Sequence, residues 1–153
     1  MQSAYYLQHK IRYSDRSDRK GIGYYSSLSH AATVAKRLIN KPGFRNPEGA
    51  FSIFHCRLDV SYWPEGFDQP ANLIPSQTVL NTPTGLQKGD RLYVAYIDNL
   101  HFDDQFVLVG IFTTTDLANT ELARLRNIIK IEAGDEFEIS ATVVDQDNWS
   151  DGF

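Results

Sequence analysis

One pattern occurs twice in this chain: an aliphatic residue, Asp, three residues, Trp, one residue, an acid, Gly and Phe. It is carried first by Leu58, Asp59, Trp63, Glu65, Gly66 and Phe67, and again by Val144, Asp145, Trp149, Asp151, Gly152 and Phe153. Coincidence is a poor account of this in 153 residues, and an internal repeat decides architecture before local propensity does. Upstream of the two tails, Phe51 and Ile53 fall on Phe137 and Ile139 at the same offset of 86. One residue is then lost in a loop. Beyond it an offset of 87 places Tyr6, Gly23, Ala31, Thr33, Arg37, Leu38 and Asn40 on Tyr93, Gly110, Ala118, Thr120, Arg124, Leu125 and Asn127. Tyr24, Tyr25, Ser26 and Ser27 meet Ile111, Phe112, Thr113 and Thr114, the conservative pairs a shared fold would keep. The sequence therefore reads as two copies of one module, residues 4–67 and 91–153, joined by a connector, residues 68–90.

Within a module the periodicities are those of strand, strand, helix, strand. Tyr5, Leu7, His9, Ile11 and Tyr13 alternate with polar neighbours, the period of a half-buried strand. A polar and charged stretch, residues 14–21, makes a hairpin loop, and residues 21–26 return as a second strand. Ser27 or Ser29 can cap a helix whose apolar face is Leu28, Ala31, Ala32, Ala35, Leu38 and Ile39, and which Pro42 and Gly43 stop. Residues 50–58 form a third strand. The second module repeats this, with Asp116 as helix cap and Ala118, Leu122, Leu125 and Ile129 as the helix face. A hairpin, a crossing helix and a further strand close most simply as a three-stranded antiparallel sheet of order 2-1-3 with the helix on one face. The expected fold is α+β, two tandem ββαβ modules packed as a pseudo-symmetric pair. Each has only about 60 residues, too few for a comfortable core of its own. The three prolines of the connector, Pro70, Pro75 and Pro83, argue against a central strand or helix there. Trp63 and Trp149 are expected to pack across the ends of the sheets, with Gly66 and Gly152 in left-handed turns.

The net charge of −4 conceals a division. Residues 1–67 hold 10 Lys/Arg against 5 Asp/Glu, and residues 91–153 hold 4 against 12. A basic module is thus followed by an acidic one whose field would attract a cationic partner. The Lys/Arg excess of the first module is spread over loop, helix and turn, so no nucleic-acid partner is expected. The chain does not open on a basic start followed by an apolar run, and no apolar run approaches the ~18 residues of a membrane span. A cytoplasmic protein without a membrane partner is the expectation.

Lys41, Pro42, Gly43, Phe44, Asn46, Pro47, Gly49, Phe51 and Ile53, followed by Leu58, Asp59, Trp63, Pro64, Glu65, Gly66 and Phe67, form a motif series covering nearly all of residues 4–67. It resembles an uncharacterised family of small bacterial domains marked by a Pro-Gly-Phe turn and a closing Leu-Asp, Trp, Glu-Gly-Phe. Residues 23–27 look like that family's strand-to-helix junction. The second copy keeps the junction and the tail and lacks the Pro-Gly-Phe turn. Some members are associated with toxin–immunity loci, and that is what the resemblance implies about function.

Catalytic constellations are missing from the sequence. His55 and Cys56 are neighbours on a strand and point to opposite faces, so they form no nucleophile–base pair. Cys56 reads as a buried, inert thiol. His9, His30 and His101 are scattered without metal-ligand spacing. Gly21 and Gly23 lack the rest of a dinucleotide fingerprint and read as a strand bulge or a close backbone approach. No enzyme, cofactor or metal site is expected. The reading is a bacterial immunity protein that occludes an effector toxin with a basic cleft, through Tyr96, Asp98, Phe102, Asp103, Asp104, Asp147, Trp149 and Asp151 of the acidic module. The alternative is a small-ligand sensor binding at a seam between the duplicated halves.

Overall fold

The structure, a computed structural model, describes residues 2–15, 17–64, 76–77, 80–99, 106–128 and 135–149. The chain divides into two compact units. The first comprises Met1–Cys56, Pro75–Asp90 and Val143–Phe153; the second comprises Arg57–Ile74 and Arg91–Thr142.

The first unit contains β1 (Ser3–Arg12), β2 (Ser17–Tyr25), α1 (Leu28–Leu38), β3 (Gly49–Arg57) and β4 (Ser76–Gln77), in a sheet of order β2-β1-β3-β4. β1 and β2 form an antiparallel hairpin. The ring of Tyr5 lies against His55 and that of His9 against Phe51, so β1 and β3 run in opposite senses. The odd residues of β1 face α1, as the alternation requires. Tyr5, Leu7, Ile22, Tyr25, Ala31, Val34, Leu38 and Phe44 make the buried core, with Phe51 and Ile53 packed against it. The helix begins at Ser27, whose hydroxyl accepts the His30 N–H at 3.1 Å, and a short 3-10 turn, Pro42–Phe44, follows it. Its buried stripe is Ala31, Val34 and Leu38; Ala32 and Ile39, expected on that stripe, are exposed. A helix covering one side of a small sheet needs a narrow apolar face, and Val34 at i+3 from Ala31 fills it.

In the second unit β5 (Arg91–Asn99), β6 (Phe106–Phe112), α2 (Thr115–Ile128) and β7 (Asp135–Val143) give a three-stranded sheet of order β6-β5-β7. The fold is thus α+β, with the order 2-1-3 in both sheets and β4 as an added edge on the first. Ala95, Ile97, Val109, Phe112, Ala118, Leu122 and Leu125 form its core, joined by Trp63, Tyr93, Phe137 and Ile139. Thr114 rather than Asp116 caps α2: its hydroxyl accepts the Leu117 N–H at 3.2 Å, while Asp116 sits in the first turn and favours the helix dipole. Ile129 lies outside the described residues.

Two expectations are corrected. The compact units are not the continuous stretches 4–67 and 91–153, because the tail after β3 belongs to the second unit and the tail after β7 to the first. Residues 75–90 of the connector also belong to the first unit. β4 pairs with β3, and the Tyr5 hydroxyl reaches the Leu80 carbonyl at 2.9 Å while accepting the Thr82 N–H at 2.6 Å. An edge position is where a Pro-containing segment can pair. The second correction concerns register. Tyr5 stands opposite Tyr25, and Tyr93 stands opposite Phe112, so Tyr93 matches Tyr5 rather than Tyr6.

His9 is 1% exposed, wedged edge-on against Phe44 and Phe51, and its Nδ1 has no hydrogen-bond partner. Burial, reinforced by the Lys20 ammonium and opposed by Asp18, lowers its pKa below the ordinary 6.5. A histidine held neutral by folding contributes its full stability above the unfolded pKa of about 6.5 and loses it as pH falls from there through the folded value. The loss from this one group is at most ~1.4 kcal/mol per pH unit. Urea unfolding of the wild-type chain should therefore show a steeper fall in stability between pH 7 and pH 5 than that of a His9→Phe variant. Parallel profiles would show that His9 charges freely in the folded chain.

Candidate partner-binding faces and the tail clasps

The two tails dock on the hairpins in the same way. Each hairpin carries one extra residue in its second strand: Leu7 pairs with Gly23 and Gln8 with Gly21, leaving Ile22 over, and Ala95 pairs with Gly110 and Tyr96 with Leu108, leaving Val109 over. Such a bulge increases the local twist and turns ladder groups outward. The tail meets them. Asp145 N–H donates to Tyr24 O at 2.9 Å and Asn148 N–H to Ile22 O at 2.7 Å; in the second unit Asp59 N–H donates to Ile111 O at 2.8 Å and Tyr62 N–H to Val109 O at 3.0 Å. β2 and β6 are the outer strands of their sheets, so the tails satisfy carbonyls that a free edge would expose. Gly23 and Gly110 have a reason to recur. A Cβ on Gly23 would lie 2.6 Å from Gln146 O, and one on Gly110 2.7 Å from Val60 O.

An aspartate locks each tail. Asp145 accepts the Ser26 N–H at 2.8 Å and the Ser26 hydroxyl at 2.7 Å; Asp59 accepts the Thr113 N–H at 2.7 Å and the Thr113 hydroxyl at 2.8 Å. Both have a left-handed backbone, φ 64° and 59°, which Asp tolerates better than most residues because its short side chain bonds locally. His30 Nδ1 lies 3.1 Å from Asp145. An arginine from the helix then holds the tail further on. Arg37 pairs with Asp147, which also accepts the Tyr25 hydroxyl at 2.6 Å. Burial and the bond to Asp147 push the Tyr25 phenol well above its ordinary pKa. Arg124, held by Glu121, reaches Ser61 Oγ and the carbonyls of Trp63 and Pro64.

Trp63 is half-buried and donates its Nε1–H to Leu108 O at 2.6 Å, whereas Trp149 is 44% exposed with the Lys20 ammonium 5.8 Å from its ring. The left-handed turns expected at Gly66 and Gly152 lie outside the described residues. The left-handed positions described are Asp59, Asp145 and Trp149 among the non-glycine residues.

The candidate binding residues are thereby separated. Tyr96 and Asp98 sit on β5 in the second unit, while Asp147 and Trp149 belong to the first, with the Asp147 carboxylate taken up by Arg37 and Tyr25. Phe102, Asp103, Asp104 and Asp151 lie outside the described residues. What the second unit does gather is a face. Ala95 and Ile97 point toward α2, so Tyr96 and Asp98 occupy the opposite side of the sheet; β7, whose Phe137 and Ile139 pack in the core, adds Glu136 and Glu138 there. The Tyr96 hydroxyl donates to Glu138 at 2.6 Å. That bond, with burial and the charge of Asp98, raises the Tyr96 pKa to about 12. The sequence reading missed Glu136 and Glu138, although their alternation with Phe137 and Ile139 was the available signal.

The corresponding face of the first sheet is cationic. Lys10 stands directly opposite Arg19 in the register, with Arg12 two residues along, all on the side away from α1. Three of the basic residues that looked dispersed in the sequence are thus collected by strand pairing. Tyr6 lies on the same side, its ring 4.8 Å from Tyr24 and 6.2 Å from Phe54. Burial pushes its pKa to about 12. Cys56, buried on this side, also rises to about 12, an unreactive thiol at neutral pH, while His55 faces Tyr5 on the other side. Among the described residues no group of three His, Cys, Asp or Glu side chains could hold a metal ion, and no helix is long and apolar enough to cross a membrane.

Comparison with family models, with curated proteins and with solved structures found no match to this chain.

The clasp can be measured. Asp145→Ala orphans the Ser26 N–H and places Ala in a left-handed backbone, so it should cost about 2–4 kcal/mol in urea unfolding. Asp145→Asn keeps an acceptor and a residue tolerant of that backbone and should cost clearly less. Equal losses for the two variants, or a loss below ~0.5 kcal/mol for Ala, would show that the carboxylate does not hold the tail.

Proposed function

We propose that this chain is a non-enzymatic partner-binding protein that presents the anionic face of its second sheet to a cationic protein surface, and that it acts as a bacterial immunity protein occluding an effector toxin. The observation that supports this most directly is the collection of Asp98, Glu136 and Glu138 around Tyr96 on the side of the sheet away from α2. By alternation, no Lys or Arg of β5, β6 or β7 shares that side among the described residues. Such a field speeds encounter with a basic cleft, and a tyrosine whose hydroxyl is already tied to Glu138 offers an ordered aromatic for burial. The resemblance of residues 4–67 to domains of toxin–immunity loci supports the biological setting. The recurrence of bulge, glycine, aspartate clasp and arginine in both units supports descent from one duplicated ββαβ module.

The test is retention of partners by the immobilised full chain from lysates of its native cells, with salt elution and identification of what is released. The wild-type chain should retain a cationic protein that an Asp98→Lys/Glu138→Lys variant releases at least ten-fold more readily, and co-expression should neutralise that protein's toxicity. Identical retention by both chains would sink the anionic face. Retention without neutralisation would sink the immunity role alone.

A further inference from the structure

The cationic face of the first sheet has a different chemistry from the anionic one and invites a different partner. On β1 and β2 the register sets Lys10 against Arg19 and Arg12 against Ser17, so three cations crowd one end of the face. Like charges directly across a strand pair destabilise it. The neighbouring guanidinium of Arg19, more than burial or Arg12, lowers the Lys10 pKa. Among the described residues of β1, β2 and β3 no carboxylate lies on this side: their one acidic residue is Asp18, which pairs with Ile11 on the α1 side and bonds to Lys20 there. The repulsion is therefore not relieved from within these strands.

Next to the cations lie rings. Tyr6 on β1 and Phe54 on β3 occupy the two central strands of the four-stranded sheet, and Tyr24 stands beside Tyr6 on β2. Tyr24 and Phe54 are partly exposed. Bases of an unpaired strand stack on aromatic side chains of a sheet while the phosphates follow adjacent cations, and this combination tolerates any base because every base has a π face. An acidic peptide would satisfy the cations and leave the rings without a counterpart.

We propose that the face formed by Lys10, Arg12, Arg19, Tyr24 and Phe54 binds single-stranded nucleic acid, with the cations on the phosphates and the rings under the bases. Duplex is a poorer fit, since its bases are already stacked and cannot reach the rings.

The experiment is fluorescence anisotropy of the full chain with a labelled 12-nucleotide single-stranded RNA of mixed sequence, from 50 to 200 mM salt. Three phosphate contacts predict a slope of log K against log salt of about −2. Lys10→Gln/Arg12→Gln/Arg19→Gln should bring the slope near zero and weaken binding at least ten-fold. It should melt no lower than the wild-type chain, since it removes repulsion. If the triple variant does not fold, Arg19→Gln alone should reduce the slope by roughly 0.7. Phe54→Leu keeps apolar bulk and should weaken binding roughly five-fold or more at an unchanged slope. Three results would overturn the proposal: no binding at 50 mM salt, a slope indifferent to the Gln substitutions, or displacement of the RNA by poly-glutamate at equal charge concentration. The last would assign the face to an acidic protein instead.

Discussion

A carboxylate on a left-handed backbone holds each unit shut. Asp59 and Asp145 each take both donors of one residue at the start of a strand-to-helix junction, Thr113 and Ser26. The junction is where an α+β unit of this size is weakest. The strand has just ended, the first N–H groups of the helix have no partner within it, and the chain must reverse direction within three residues. Ser27 and Thr114 supply the helix caps, and the aspartates tie down the residue just before each cap. Charge-assisted bonds at short distance are stronger than neutral ones, so two per site can fix a segment that has little apolar area to bury.

Several other features make sense only with the clasp in place. The bulges at Ile22 and Val109 would otherwise turn carbonyls toward nothing; with the tail present, both carbonyls accept its N–H groups. Gly23 and Gly110 clear the path for a tail carbonyl. Arg37 and Arg124 extend the hold toward the Trp. Because the tail after β3 closes the second unit and the tail after β7 closes the first, neither unit is a continuous stretch of chain. Cutting the polypeptide at the apparent module boundary would therefore strip both units of their clasps, and a fragment of residues 1–67 would keep a tail whose acceptors are gone.

Local order was legible in the sequence. Period-2 alternation from Tyr5 to Ile11 and 3.6-residue spacing after Ser27 gave β1 and α1, and the hairpin plus crossing helix gave the order 2-1-3. The repeat marks out the Gly and the Asp but not their purpose, because a pattern within a chain does not say which copy's tail meets which hairpin. That choice depends on pairings between residues far apart in the chain, Ser26 with Asp145 and Asp59 with Thr113. By the same limit, chain position groups Asp147 and Trp149 with the acidic second stretch, whereas they belong to the first unit. Helical spacing fixes a stripe only to within a residue or so on either side, which is why it points to Ala32 and Ile39 where Val34 is the buried residue. The match of Tyr6 to Tyr93 failed by one residue, and one residue on a strand moves a side chain to the other face.

That last point bears on how two units with the same clasp could carry opposite charge. In a strand the residues facing the helix are constrained by packing, and those that stay exposed on the other side, unlike Cys56, are much less so. Phe51 and Phe137, or Ile53 and Ile139, are the same residue because both must fill a core. Their immediate neighbours on the other side, Ser52 and Glu138, differ, as do Lys10 and Asp98 at the corresponding end of the first strand. Substitution there costs little in folding as long as the tail, the bulge and the aspartate keep the junction closed. The first sheet still carries a cost, since Lys10 faces Arg19 with no carboxylate among the strand residues of β1–β3 on that side to answer them. Drift alone does not favour like charges in register, and a polyanionic ligand that relieves the repulsion gives the arrangement a reason to persist.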